Sequence, residues 1–470
     1  LDANTTANNN TALGYSALAA NTTGTGNVAL GQGALVANTT ASYNTAIGKD
    51  AGVSITTGDQ NVAIGYNALD ANTVGDRNTA VGNHALSTYN PSGNEDGYHT
   101  AVGYNAAGAL TTGTLNTALG GLALSTATTG YGNVAVGYYA LGATTTGYYN
   151  IAVGNNALDA NTTGGGNVAV GHNALGVTTT AGANIAIGYN AMQDSTTGEQ
   201  NTAVGHEAFA NNTTGQYNTA LGAYAMLGNP STAATGDGNT ALGNSSLRVN
   251  TTGANNVAAG YYAMQANTTG SENVAIGKDA LVLNTTGSDN IAIGYDALDA
   301  NTTGNKNVAI GREALTANDA ADNIGVGYKA LAANTTGTLN VAVGYEALVA
   351  NTTGGSNVAI GYAALDAATT QNYNVAVGTF ALSVTTTGGH TAVGGLALSS
   401  LTTASSCTAL GNSAGKENTT GGNNTFVGWQ AGMNITDGVD NTFIGAGAGD
   451  AATTARNTTA VGYNAARDLT

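Results

Sequence analysis

Proline, cysteine and charge are all scarce in this chain. It has two prolines and one cysteine in 470 residues, and charged side chains make up only 8%. A single cysteine, Cys407, excludes an intrachain disulfide framework and leaves the redox compartment open. Ten Lys and Arg against 27 Asp and Glu give a net charge of −17. That balance argues against a nucleic-acid partner, whose phosphates need cations, and against an anionic membrane surface. No run approaches the ~18 apolar residues of a membrane span, so no membrane insertion is expected. No signal peptide is recognisable. The sparse acidic charge serves mainly to keep a large surface soluble. No Ser-His-Asp arrangement and no recurring carboxylate pair can be defended, so an enzyme is not expected and no cofactor is implied.

What is abundant is repetition. Residues 61–77 read NVAIGYNALDANTVGDR; the line returns as NIAVGNNALDANTTGGG at 150–166 and NIAIGYDALDANTTGNK at 290–306. Seventeen positions recur: Asn, variable, Ala, apolar, Gly, two variable, Ala, Leu, two variable, Asn, Thr, Thr, Gly, two variable. Aligned on position 5, glycine appears 27 times, from Gly14 to Gly462. The spacing departs from seventeen at four places: twenty-one before Gly103 and Gly243, sixteen before Gly327 and Gly394. Such bias in composition can mean disorder. A disordered chain, however, has no reason to hold an apolar residue at position 4 of every copy. A short fixed period is the mark of a solenoid, in which each unit buries its apolar face against its neighbours. Leu1 falls at position 9 and Thr470 at position 13, so both ends lie inside the pattern and the chain reads as a segment of something longer.

Positions 1 to 5 are rich in β-branched residues and close on glycine, which predicts a short strand. The Ala-Leu pair at positions 8 and 9 predicts the kernel of a second one. Asn-Thr-Thr-Gly is turn chemistry, and two glycines per repeat exclude a helix. The fold expected is all-β, a parallel β-solenoid (β-roll) of about 27 seventeen-residue coils. With strands ~4.8 Å apart it would form a rod of roughly 130 Å. Regular repeats cover 1–410, with insertions near 87–98 and 228–238 that hold the only prolines, Pro91 and Pro230. Residues 411–470 are variant repeats of the same solenoid, with Phe426 and Phe443 at position 3 and Gly432 and Gly449 at position 9.

Positions 3 and 4 point to opposite faces of a strand, and both are apolar. One face fills the lumen of the coil; the other must meet another chain or stay bare along the rod. A homo-oligomer is expected. The alternative is a coil flat enough to close both faces by itself.

The line NTAIGxxALxxNTTGxxNVAIG, carried by Asn61 to Gly65, Asn273 to Gly277 and Asn357 to Gly361 among others, resembles the shaft repeats of bacteriophage tail fibres. It is more distantly similar to the head repeats of trimeric autotransporter adhesins. The likeness covers essentially the whole chain. It implies a left-handed homotrimeric fibre, extracellular, on a virion or a cell surface, that presents a receptor-binding tip; the host receptor or glycan would be met through flanking domains. The period here is longer than that of the adhesin heads.

Several columns are candidates for chemistry. Asn at position 1 (Asn27, Asn44, Asn61, Asn78, Asn273, Asn290 and equivalents) is expected to stack as an amide ladder with a structural role. His390 and Cys407 replace it one coil apart, and His and Cys are zinc ligands, although two tolerated substitutions explain them as well. Tyr recurs at position 6, as Tyr66, Tyr138, Tyr189, Tyr295 and Tyr345, with Trp429 in the same column. These are candidate glycan contacts, or rings that cover the corner of the coil. Asp70, Asp159, Asp299 and Asp366 at position 10 lack the context of a calcium-binding β-roll. The Asn-Thr-Thr triplets match a glycosylation acceptor but read better as turns. The function expected is a stiff structural shaft, with a self-assembling filament or a glycan-binding adhesin using the Tyr column as alternatives.

Overall fold

A computed structural model describes residues 2–232 and 234–467. Leu1, Ala233 and residues 468–470 lie outside the described residues, and with them the positions of the two chain ends and one residue of the second insertion. The chain divides into two units, Leu1–Gly238 and Asn239–Thr470. Each is a parallel β-solenoid, without a helix among the described residues. The first runs from strand β1 (Thr11–Leu13) to β13 (Thr219–Leu221), the second from β14 (Thr240–Leu242) to β27 (Thr459–Val461).

Every strand is three residues long and covers positions 2 to 4. Each pairs in register with the equivalent residues one coil away, as Val62, Ala63 and Ile64 do with Thr79, Ala80 and Val81. The middle residue faces the lumen and is buried, whereas positions 2 and 4 face outward and stay half-exposed. The coil does not flatten to close this second face. It runs as an apolar band along each unit: Ile151 and Val153 are 40% and 36% exposed, and Ile185 and Ile187 both 39%.

Stacking is close enough to dictate the glycine at position 5. Gly65 has φ +135°, and a Cβ there would overlap the carbonyl of Gly82 in the next coil. Backbone geometry and the approach of the neighbouring coil both demand glycine at this corner.

The expected second strand is absent among the described residues. Positions 6 to 11 form a turn in which positions 7 and 9 have positive φ, as at Asn67 (52°) and Leu69 (54°). Inter-coil bonding continues there without a strand. The Asn67 N–H donates back to Lys49 O at 3.2 Å, and the Leu69 N–H donates forward to Ala85 O at 3.0 Å. The Ala68 N–H between them bonds within its own coil, to Gly65 O at 3.4 Å, so the backbone is satisfied in a conformation that β pairing does not use. Leu69 and the Ala68 before it are fully buried.

The turn at positions 12 to 15 is tied by threonine. The N–H groups of Thr39 and Thr40 and the Thr39 hydroxyl all donate to Thr56 O in the next coil, at 3.1, 3.3 and 3.1 Å. Where the period breaks, a side-chain oxygen takes over that acceptor role. In the first insertion Asn90 Oδ1 receives the Thr73 N–H and hydroxyl at 3.2 and 2.7 Å. In the sixteen-residue coil 307–322 the Asp319 carboxylate receives Thr302 N–H, Thr303 N–H, Gly304 N–H and the Thr302 hydroxyl, at 2.7 to 3.3 Å. The first insertion is not wholly external. Tyr89 enters the lumen at position 12, buried, with its ring edge-on to His99 at 4.6 Å.

Candidate functional site

The asparagines of position 1 form a continuous hydrogen-bonded column within each unit. The N–H groups of Asn44, Asn61 and Asn78 donate to Oδ1 of Asn27, Asn44 and Asn61 at 2.8 to 2.9 Å. Asn273 and Asn290 repeat the contact at 3.0 Å. Most of these amides also donate across the coil: Asn61 Nδ2 reaches Gly75 O at 3.0 Å. The same carbonyl receives Asn72 Nδ2 from position 12 at 2.9 Å, so a second asparagine column clamps the turn from the other side. The sequence pattern does not reveal this second column, because Asn-Thr-Thr matches both a turn and a glycosylation acceptor. Its members Asn72, Asn161 and Asn267 have no exposed surface, and an acceptor amide without access to solvent cannot take a glycan in the folded chain.

His390 and Cys407 sit together in the position-1 column as two of its rungs. The His390 N–H donates to Asn374 Oδ1 at 3.1 Å, and Nδ1 accepts the Cys407 N–H at 3.2 Å. Nε2 pairs with the Thr387 hydroxyl at 2.9 Å. Both ring nitrogens are thus engaged, and Cys407 Sγ lies 3.2 Å from Gly421 O. Burial pulls His390 down to about 4, so the ring is neutral at pH 7, and burial pushes the Cys407 thiol up. A neutral, hydrogen-bonded imidazole beside a protonated thiol copies the asparagine pattern with other atoms. Among the described residues no cluster of three or more His, Cys, Asp or Glu has the geometry to hold a metal ion.

The position-6 column is exposed, but its rings lie against one another. Tyr345 is stacked between Tyr328 at 4.9 Å and Tyr362 at 5.3 Å. Tyr189 is stacked between His172 and His206 at 5.5 and 5.2 Å. Tyr295 lies between the Lys278 ammonium, 4.9 Å from the ring centre, and the Arg312 guanidinium at 5.4 Å. Tyr66 meets His84 edge-on at 5.4 Å, and Tyr138 leans on Tyr139 at 6.3 Å. Among the described residues Trp429 has no ring partner. A sugar packs its C–H face on the flat of a ring, and in Tyr189, Tyr295 and Tyr345 both flats are taken. The column therefore contributes to stacking along the solenoid.

The position-10 aspartates are placed where solvent reaches them poorly. One carboxylate oxygen of each of Asp70, Asp159, Asp299 and Asp366 is buried without a hydrogen-bond partner. Burial raises all four carboxyls above their usual range, Asp299 to about 6, with the nearby Asp296 charge adding to the shift. Lys49–Asp50, Lys278–Asp279, Arg312–Glu313 and Lys416–Glu417 pair on the surface at 2.7 to 3.7 Å, where such pairs contribute little.

Comparison with known protein families and with curated proteins finds no match to this chain. Among the described residues no helix is long and apolar enough to cross a membrane. The largest unsatisfied feature left by the geometry is the outward apolar band of positions 2 and 4.

Proposed function

We propose that this chain is the stiff shaft of an extracellular fibre, a phage tail fibre or a surface adhesin, in which sister chains seal the strand face as a homotrimer. The observation that carries the proposal is the band itself. Its members are Thr, Val, Ile or Leu at nearly every strand, they alternate with lumen-facing Ala, and Ile151, Val153, Ile185, Ile187, Ile276 and Ile291 among them are 36% to 41% exposed. A contiguous band running through a dozen or more strands far exceeds the ~300–600 Å² patches of ordinary monomers. The lumen supports the mechanical role. Ladders of backbone and asparagine hydrogen bonds repeat in every coil, which resists bending and twisting along the stack. Left-handed trimer geometry and a receptor-binding tip come from the resemblance of the repeat line to tail-fibre shafts.

The test is the mass of the chain in solution by sedimentation equilibrium. Three times the 45.9 kDa chain mass is expected, and substitution of Val153, Ile185 and Ile187 by Asp should yield a folded species of one chain mass. A wild-type chain that sediments as a monomer overturns the trimer. A series of masses that grows with concentration supports an end-to-end filament in its place.

A further inference from the structure

We propose that the turn between Thr370 and Gly389 is a binding cleft for a neutral carbohydrate. It is built where the repeat departs from itself. The coil 374–389 is one residue short, so Gly388 and Gly389 span a corner that elsewhere takes three residues. In the preceding coil Gln371 stands at position 15, where glycine is usual. Its side-chain amide enters the threonine ladder: Oε1 receives the Thr369 and Thr370 N–H groups at 2.6 and 3.0 Å, and Nε2 donates to Thr386 O at 3.1 Å. In the coil before, Thr352 N–H reaches Thr369 O directly at 2.7 Å. A side-chain amide wedged between two coils, where most corners touch backbone to backbone, holds the corner open.

The result is a cleft of about 460 Å³ lined by Thr370, Gln371, Asn372, Tyr373, Gly388 and Gly389, with Thr386 and Thr387 at its edge. It is an open, shallow surface depression with a mostly polar lining. Gly388 is pressed on the Asn372 backbone, whereas a Cβ at Gly389 would meet nothing within 4 Å, so the floor is bare backbone facing open space. Tyr373 forms the wall and is 73% exposed. Unlike Tyr345 it is not sandwiched: among the described residues no ring or cation lies against it. Asn372 uses Oδ1 to accept the Gly355 N–H at 2.6 Å, and its Nδ2 remains as a donor in the lining.

The chemistry of the lining selects the ligand class. No Asp, Glu, Lys or Arg occurs between Asp366 and Lys416, and the corners of the adjacent coils, TTGGS at 352–356 and TTASS at 402–406, are uncharged too. An anionic or cationic ligand would find no counter-charge there. An open aromatic face, an amide donor, hydroxyls and accessible backbone fit a sugar ring that offers C–H on one side and hydroxyls at its rim. This site is independent of the shaft proposal, since a shaft that binds no sugar remains a shaft.

The experiment is an array of neutral, sialylated and sulfated oligosaccharides, followed by titration calorimetry on the best ligand with the full chain. Binding to neutral glycans is expected, unchanged at high salt. Tyr373→Ala should weaken it about tenfold or more, the loss typical of an aromatic anchor, without moving the melting temperature. Tyr345→Ala should leave it intact. No binding on the array, binding confined to sialylated or sulfated glycans, or binding that survives Tyr373→Ala or disappears with Tyr345→Ala would each overturn the assignment.

Discussion

The ring of Phe426 lies over the bare Cα of Gly432, and Phe443 lies over Gly449 in the same way. Position 3 has gained a ring and position 9 has lost its leucine, so lumen volume is exchanged between two sites of one coil. Gly415, at position 9 of the preceding coil, also opens toward Phe426. The variant coils are thus a repacking of one lumen, in which a large residue and a glycine must occur together.

This pairing makes a double-mutant cycle informative. Gly432→Leu alone overfills the lumen and should cost about 1–3 kcal/mol. Phe426→Ala alone leaves a cavity and should cost about 3–5 kcal/mol. The double variant restores the common Ala and Leu and should recover much of both losses, short of the space beside Gly415. Urea midpoints of the four proteins check this; additive losses would contradict the volume exchange.

Leucine at position 9 is a second case in which side chain and backbone are bound together. Positions 7, 9 and 17 have positive φ in every repeat, at residues such as Asn67, Leu69 and Arg77. None of these three columns contains a Val, Ile or Thr, although the chain is rich in all of them. A β-branched residue is strained at such a backbone. Leu69→Ile keeps the volume but should cost about 1–2 kcal/mol. The reverse exchange at the strand, Ile64→Leu, should cost well under 1 kcal/mol because its backbone is extended. Thermal unfolding of both variants separates backbone strain from packing.

That same absence marks where the sequence could have been read further. The strand at positions 2 to 4 was legible because β-branched residues and lumen-facing Ala alternate there. Apolarity alone makes the Ala-Leu pair look like a strand, whereas the exclusion of β-branched residues from position 9 points to a left-handed backbone. The asparagine of position 12 was hidden by the turn motif it belongs to. Its replacements, including Ile55, Leu110, Ala127 and Thr144, are apolar or small and never charged, which is the signature of a buried column. The proposed cleft left only an indirect signal, the sixteen-residue spacing before Gly394 and a glutamine at position 15, because its opening depends on where the amide of Gln371 goes.

Asp319 should make stability fall on the acid side. Burial alone would raise its carboxyl, but donations from Thr303, Thr302 and Gly304 outweigh it and hold the group below the usual range. A lowered carboxyl stabilises the fold above its unfolded value near 3.8, and the contribution is lost as pH falls through the folded value. Asp319→Ala leaves three N–H groups without their acceptor and should cost about 2–3 kcal/mol at pH 7. The loss should shrink below pH 4, which melting curves across pH will register.

Asp299 works in the opposite direction. Its carboxyl is raised from 3.8 to about 6, chiefly by burial, so the folded state holds its proton more tightly than the unfolded chain does. The stabilisation is complete below pH 4 and is lost as pH rises through 6. At pH 7 the charged form places a buried oxygen without a partner inside the turn. Asn in its place has the same shape without the charge. Asp299→Asn should therefore melt higher than the wild type at pH 7 and match it near pH 4, and a variant that melts lower at pH 7 would show that the carboxylate has a partner in solution, such as a cation.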